Sequence, residues 1–146
     1  MEQESIKGEE NNIKYTPEKI TKLKTNEYIF VGTNTEGKSG AGLALECVKK
    51  FGLKYGVSRG LSGQCYAIVT KDLNAPNYGL RSIPLEYIEK QILKAYEFIK
   101  TQPDDTVWYM TKIGCNLAGY TEPELNKILQ DIKEYQPKNV ILPLFK

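Results

Sequence analysis

Residues 28–45 read YIFVGTNTEGKSGAGLAL, an apolar run that leads into a glycine-rich loop and then into a helix-forming segment. A strand joined to a helix by such a loop is an anion-binding arrangement. Free backbone amides at the helix start and the positive end of the helix dipole attract a negative group, and glycine lets that group approach the backbone closely. The stretch therefore predicts a phosphate-binding site.

Other kinds of site chemistry are excluded by composition. The chain has no histidine, and its three cysteines, Cys47, Cys65 and Cys115, are far apart in sequence. Ser-His and Cys-His nucleophilic pairs within one chain, zinc sites and disulfide frameworks are thereby ruled out. We expect no metal and no cofactor. Cys47 and Cys65 lie on apolar segments and are expected in the core, whereas Cys115 is either a reactive thiol of lowered pKa or, more simply, a small filler of a tight loop.

One interpretation of the loop is a nucleoside-triphosphate site. From Gly32 the residues GTNTEGKS match the P-loop pattern G-x-x-x-x-G-K-[ST], in which Lys38 would bind phosphate and Ser39 would bind Mg²⁺. Only Asp72 lies near the end of an apolar strand where a carboxylate would hold the metal, and the chain has few arginines to stabilise a transferring phosphoryl group. Glycines at 40 and 42 would also fall inside the helix, at a cost of about 1 kcal/mol each relative to alanine.

Length, charge and termini limit the function classes further. The 146 residues are 40% apolar and 26% charged, with a net charge of +2, as in an ordinary soluble domain. The lysines form no tract, which makes nucleic acid an improbable partner. Residues 1–13 are polar and are expected to be disordered, and residues 14–146 are expected to form one domain. The amino terminus is acidic, unlike a secretory signal, and no segment reaches the roughly 20 apolar residues of a membrane span, so we predict a cytoplasmic protein with no membrane partner.

Hydrophobic periodicity predicts alternating helices and strands. Helices are expected from Thr16 through Leu23, over 40–51, over 84–100, and after a capping box at 121–124; strands are expected at 28–31, 65–70, 106–111 and 139–145. Strands alternating with helices predict an α/β fold, a three-layer α/β/α sandwich with a mixed, mostly parallel sheet. Trp108 is expected to be buried within its apolar strand.

Three loops should meet at the carboxyl ends of the strands, where ligands bind in such folds. They are residues 32–42, 71–82 and 112–120. The third loop contains Gly114 and Gly119 and leads into a capped helix, so it is expected to face the first loop with a second set of backbone donors. Two such loops can hold a diphosphate between them.

The same segments resemble the macro-domain-like superfamily, whose members bind ADP-ribose and related nucleotides. That family has a strand ending in a pattern such as I-V-N-A-A-N, a glycine-rich turn, an alanine-rich helix and a later glycine-containing phosphate loop. Here FVGTN, KSGAGLALECVKKFG and TKIGCNLAGYTEPEL follow in that order. The chain is most similar to small bacterial and phage members with FVFGSN, GAG and GLQGQSYAIPTK, since it has FVGTN, GAG and GLSGQCYAIVTKD, and the resemblance spans roughly residues 13–143.

This resemblance implies specific roles. Asn34 would contact the distal ribose and, in a hydrolase, orient the attacking water, with Asp72 as a candidate acid or base. Where the family places an aspartate for adenine, this chain has Lys19 beside Glu18. The predicted ligand-binding residues are Gly32, Thr33, Asn34, Ser39, Gly40, Ala41, Gly42, Arg59, Gly60, Gln64, Gly114, Cys115, Asn116, Leu117, Ala118, Gly119 and Tyr120.

The residues leave three functional hypotheses open. The first is a macro-domain-like protein that binds, and in one version hydrolyses, a small nucleotide-derived ligand of the ADP-ribose type. The second is the P-loop enzyme. The third is a phage or bacterial interaction module whose groove sequesters a nucleotide signal or is empty.

Overall fold

The computed structural model describes residues 9–10 and 13–145. Its strands are β1 (Glu9–Glu10), β2 (Ile13–Lys14), β3 (Glu27–Asn34), β4 (Gly60–Ser62), β5 (Cys65–Lys71), β6 (Val107–Tyr109) and β7 (Val140–Ile141). Its α-helices are α1 (Gly42–Lys50), α2 (Leu85–Ile99) and α3 (Glu122–Asp131), and short 3₁₀ turns occupy Asn77–Gly79, Asn116–Ala118 and Lys133–Tyr135. None of the helices in the described ranges is both long and apolar enough to cross a bilayer.

The main sheet has five strands in the order β4-β5-β3-β6-β7. β5, β3, β6 and β7 run parallel, and only the edge strand β4 is antiparallel to its neighbour β5. The long central strand β3 pairs on both sides, with β5 and with β6. Its carboxyl end therefore lies at the middle of the sheet edge from which the predicted loops leave.

Two hydrophobic clusters lie on opposite faces of this sheet. Alternation along β3 sends Phe30 to one cluster and its neighbours Ile29 and Val31 to the other. The first cluster contains the buried sides of α2 and α3, and the second contains Cys47 of α1. The helices thus cover both faces, and the predicted three-layer α/β/α sandwich with a mixed, mostly parallel sheet is confirmed.

Burial of Trp108 and of two cysteines is also confirmed. Trp108, Cys47 and Cys65 are each 0% exposed, and the indole nitrogen of Trp108 donates a 2.9 Å hydrogen bond to Oγ1 of Thr106. The neighbouring Cys65 and burial together raise the pKa of Cys47 well above its ordinary value. The thiols of Cys47 and Cys65 are therefore both part of the hydrophobic core.

The predicted helix after Thr16 is wrong, because residues 17–26 have no helical structure. The Thr16 hydroxyl donates to the carbonyl oxygens of Met110 and Ile141 at 2.8 and 3.0 Å, and its amide donates to the carbonyl of Leu142 at 2.9 Å. These bonds hold the chain along the edge of the sheet, where tertiary pairing outweighs the local capping signal. The predicted disordered tail falls largely on residues outside those described; within it, β1 pairs antiparallel with β2.

A capping box fixes the start of α3 and so the end of the loop that precedes it. The Thr121 hydroxyl accepts from the Glu124 amide at 3.3 Å, and the Glu124 carboxylate accepts from the Thr121 amide at 2.9 Å, as the sequence predicts. Arg81 donates to both carboxylate oxygens of Glu124 at 2.9 Å. One carboxylate therefore ties the loop before α2 to the first turn of α3.

Glu124 should make stability depend on pH in the acid range. The hydrogen bonds that Glu124 accepts from Arg81 and from the Thr121 amide lower its pKa to about 2, whereas the pKa of a glutamate in an unfolded chain is about 4.3. The stabilisation is present above the unfolded pKa and is lost as the pH falls towards the folded pKa. We expect Glu124→Gln to lower the Tm at pH 6, and the gap from wild type to narrow between pH 4.5 and pH 2. Thermal unfolding followed by circular dichroism checks this, with Glu97→Gln as control; a gap independent of pH would contradict it.

Candidate functional site

A cleft opens where β3 and β5 end and is closed on its far side by the loop after β6. Its volume is about 240 Å³. The lining residues come from all three predicted loops, from the end of β5 and from the first turn of α1: Gly32, Thr33, Asn34, Lys38, Gly40, Ala41, Ala44, Thr70, Lys71, Leu73, Leu117 and Ala118. The structure thus brings together seven of the predicted ligand-binding residues, namely Gly32, Thr33, Asn34, Gly40, Ala41, Leu117 and Ala118.

The side chain of Asn34 shapes the first loop. Its Oδ1 accepts from the amides of Glu36 and Lys38 at 3.2 and 2.9 Å, and its Nδ2 donates to the Lys38 carbonyl at 2.9 Å. Oδ1 has both of its acceptor positions in use, so one N–H is the hydrogen-bonding capacity left on the carboxamide. Asn34 lines the cleft, and in this structure its side chain stabilises the turn of the first loop. Its role with water stays a prediction.

The start of α1 supplies backbone donors to the cleft. The cap residue Ala41 has no side-chain hydrogen bond to the helix, and the first turn carries no acidic residue. The first helical bond runs from the Leu45 amide to the Ala41 carbonyl at 3.3 Å. The amides of Gly42, Leu43 and Ala44 precede that bond and so have no partner within the helix. Because Ala41 and Ala44 line the cleft, this uncapped helix start opens into it.

Gly40 and Gly42 are there for different reasons. Gly42 has a φ of +59°, a left-handed conformation that a side chain makes costly. Gly40 has no such conformation, and nothing lies within 4 Å of the position that a Cβ would occupy. The backbone therefore requires glycine at 42, whereas at 40 the missing side chain leaves open space on the wall of the cleft.

The lining is positively charged. It contains Lys38 and Lys71 and no aspartate or glutamate. Glu36 lies outside the lining, but its carboxylate pairs with Lys38 at 3.0 Å and raises the pKa of that lysine. Among the described residues Lys71 has no ion pair. The cleft therefore offers two cationic side chains and a helix start, an arrangement that favours an anion.

The loop after β6 forms the opposite wall by close contact with β3. The amide nitrogen of Gly114 lies 3.7 Å from the position that a Cβ on Gly32 would take, and Oγ1 of Thr70 lies 3.1 Å from it. On the outer side, Leu117 contacts the position of a Cβ on Gly42 at 3.8 Å. The two glycine-rich loops thus face each other across the cleft, as the sequence predicts.

Five predicted residues of the third loop lie outside the lining of the cleft: Gly114, whose contact with β3 is given above, and Cys115, Asn116, Gly119 and Tyr120. Tyr120 is buried, and its hydroxyl donates to the Ile83 carbonyl at 2.7 Å, so it anchors the loop on the core. Burial raises the pKa of Cys115 to about 11, so the reactive-thiol interpretation is not supported. Asn116 and Gly119 have left-handed φ angles of 61° and 94° and turn the chain.

Other predicted residues lie outside the cleft. Gln64 donates to the carbonyls of Lys24 and Glu27 at 2.8 and 2.9 Å, at the amino ends of the strands and so at the opposite edge of the sheet. Arg59 donates to the Tyr87 hydroxyl at 2.8 Å. Gly60 lies in the edge strand β4 and pairs with Ala67 of β5.

Asp72 and Ser39 border the cleft without lining it. The Asp72 carboxylate accepts from the Asn74 amide at 2.9 Å, in the turn that follows β5. Ser39 is 3% exposed, and its hydroxyl has no hydrogen-bond partner among the described residues. Neither group is presented to the cleft as a catalytic or metal-binding side chain would be. No three His, Cys, Asp or Glu side chains in the part of the chain that the structure describes lie close enough to share a metal ion.

Sequence reasoning missed four lining residues: Ala44, Thr70, Lys71 and Leu73. Lys71 and Leu73 lie in the second loop, whose position after an apolar strand did mark it as functional. Neither residue belongs to a recognisable motif, so the sequence marked the whole loop as functional but not these two positions. Lys38 was assigned to a site only by the P-loop pattern.

Comparison with known proteins supports the fold. No family model matches the chain, and no curated protein matches it. The chain is similar to a solved structure of a protein of unknown function from Bacteroides thetaiotaomicron, with a TM-score of 0.58 and 16% sequence identity, over 84% of this chain and 90% of that chain. At this identity the similarity shows a shared α/β fold alone.

Gly40 and Gly42 of the first loop should respond differently to substitution. Gly42→Ala forces a side chain into a left-handed conformation and is expected to lower the free energy of unfolding by about 1–3 kcal/mol. Gly40→Ala meets open space and restricts the unfolded chain, so it should leave stability unchanged or raise it by about 0.4–1 kcal/mol. Urea unfolding of the two variants tests the assignment. Equal losses of stability from both substitutions would contradict the difference in backbone conformation between Gly40 and Gly42.

Proposed function

We propose that the cleft binds the phosphate groups of a nucleotide-derived ligand of the ADP-ribose type. The observation that carries the proposal is the uncapped start of α1, which opens onto a cleft lined by two lysines and no carboxylate. Orphan amides and cations in one cleft are matched by an anion with several oxygens. The resemblance to the macro-domain-like superfamily narrows that anion to the diphosphate of an ADP-ribose-type molecule.

The size of the cleft supports partial enclosure of such a ligand. Sites that enclose a drug-sized molecule measure about 300–1,000 Å³, and this cleft measures about 240 Å³. It has room for the phosphates and an adjoining sugar. The nucleobase would then lie outside the cleft.

The geometry favours this site over a P-loop. A P-loop helix begins around its lysine and serine, whereas α1 begins at Gly42. Lys38 pairs with Glu36, and the Ser39 hydroxyl is buried rather than free to bind Mg²⁺. If the anion contacts the backbone from Gly40 to the start of α1 at Gly42, the missing side chains at these two positions let it approach.

Binding is favoured over hydrolysis as the basic function. Asn34 uses most of its carboxamide to hold the loop, and Asp72 accepts from the turn that follows it. A general base must reach the proton that it removes, directly or through one water molecule. The Asn34 oxygen has both acceptor positions in use, and Asp72 lies outside the lining of the cleft, so hydrolysis by these two groups remains a hypothesis.

Filling the space beside Gly40 should block binding without harming the fold. We expect isothermal titration calorimetry to detect ADP-ribose binding to the wild-type protein and to detect none with Gly40→Val, whose side chain would occupy the path to the α1 amides. The Cβ of the variant would meet no atom within 4 Å, and we expect the Tm, measured in parallel, to match that of the wild type. Gly40→Ala is the graded control and should bind with intermediate affinity.

Lys71 should contribute a modest electrostatic part of the affinity. Lys71→Ala is expected to weaken ADP-ribose binding up to about fivefold, the range for charge pairs in contact with water, and the loss should shrink as salt is added. Lys90→Ala, which removes an equal charge from the exposed side of α2, should bind as the wild type does.

Two results would overturn the proposal. One is Mg²⁺-dependent ATP binding that Lys38→Ala abolishes, which would establish the P-loop enzyme. The other is a thermal-shift screen in which ADP-ribose, NAD-derived and cyclic nucleotides all fail to raise the Tm, since a ligand of the native state must stabilise it. The second result would favour the interaction module with an empty groove.

A further inference from the structure

Residues 72–82 form a strap that borders the cleft at both ends. At one end Leu73 lines the cleft, and at the other the Arg81 amide donates to the carbonyl of Ala118, a second lining residue, at 2.7 Å. The Asp72 amide donates to the Ser82 hydroxyl at 2.7 Å and closes the base of the strap. The middle of the strap folds back on this base, since the position of a Cβ on Gly79 would lie 2.7 Å from Cγ of the lining residue Lys71.

Tyr78 lies on this strap and is not explained by folding. It is 89% exposed, and its φ of 59° is left-handed, a conformation in which a tyrosine is strained and glycine or asparagine is not. Among the described residues it has no hydrogen bond and no ring contact. A large aromatic ring held in water by a strained backbone contributes nothing to the core, and strained residues of this kind gather at ligand sites.

Two further apolar side chains are exposed in the lining of the cleft. Leu73 is 38% exposed and Leu117 is 65% exposed, and both line the cleft. Apolar side chains next to a cationic cleft fit a ligand that has an uncharged planar part attached to an anion. Rings of this kind stack on aromatic side chains and pack against aliphatic ones.

We propose that Tyr78, with Leu73 and Leu117, forms the subsite for the nucleobase of the ligand whose phosphates enter the cleft. This inference rests on the proposed function. It assigns base recognition to the strap after β5, and Tyr78 is the residue on which the ring stacks.

Calorimetry with ligands that have and lack a ring tests the subsite. ADP-ribose supplies the base and the diphosphate, and inorganic pyrophosphate supplies the diphosphate alone. Loss of base stacking weakens binding by about 5- to 100-fold, so Tyr78→Ala should raise the Kd of ADP-ribose by that factor and leave the Kd of pyrophosphate unchanged. Tyr135→Ala is the matched control, because this exposed tyrosine follows α3, at the opposite edge of the sheet.

A fluorescence measurement gives an independent readout. The chain has one tryptophan, Trp108, which is buried, so Tyr78→Trp adds a single exposed reporter. Its emission should shift or quench with ADP-ribose and stay constant with pyrophosphate. Unchanged ADP-ribose affinity in Tyr78→Ala, or an unresponsive Tyr78→Trp that still binds ADP-ribose, would overturn the subsite and leave the proposed function standing. Failure of the wild-type protein to bind either compound would overturn both.

Discussion

The hydrogen bonds of the Asn34 carboxamide are the constraint on which the cleft depends. The pairing of β3 with β5 shifts register between Thr33 and Asn34, which takes the chain out of the regular ladder at the sheet edge. Asn34 then binds the amides of Glu36 and Lys38 and the carbonyl of Lys38, so the chain turns back on itself within four residues. This tight return sets where the loop ends and hence where α1 begins.

The opposite wall is positioned by close packing. Gly32, Gly114 and Thr70 meet where β3, β5 and the loop after β6 approach one another, and a side chain on Gly32 would press on the Thr70 hydroxyl at 3.1 Å. The Thr70 hydroxyl also donates to the Thr33 carbonyl at 3.2 Å. Tyr120 then holds the far end of the loop on the core through Ile83. Main-chain contacts and two buried hydroxyl groups therefore set the width of the cleft.

Much of the fold could be predicted from sequence because its signals are local. Hydrophobic spacing gives α2, the capping box gives α3, and the apolar run at 65–70 gives β5. The segment after Thr16 could not be predicted, since Met110, Ile141 and Leu142 bind Thr16 across more than 90 residues of chain. The site divides in the same way. The positions of the loops follow from the alternation of strands and helices. The burial of Tyr120 and the different conformations of Gly40 and Gly42 depend on backbone angles, which the residue type alone does not reveal.

Two of the helices that start at this edge of the sheet, α1 and α3, differ in how their first backbone amides are satisfied. α3 satisfies its first amides with its own side chains, and the carboxylate that does so, Glu124, is held ionised by Arg81. α1 has neither a capping side chain nor an acid in its first turn, although a single substitution at Ala41 would supply one. Its amides open instead into a cleft that carries two lysines. The lining holds no carboxylate for this helix start or for Lys71, and Lys38 is paired with Glu36 outside the lining, so under the proposed function a ligand would supply the anionic oxygens. The chain thus uses its own carboxylate to hold the loop before α3, and under the proposed function the facing start of α1 is left to a ligand.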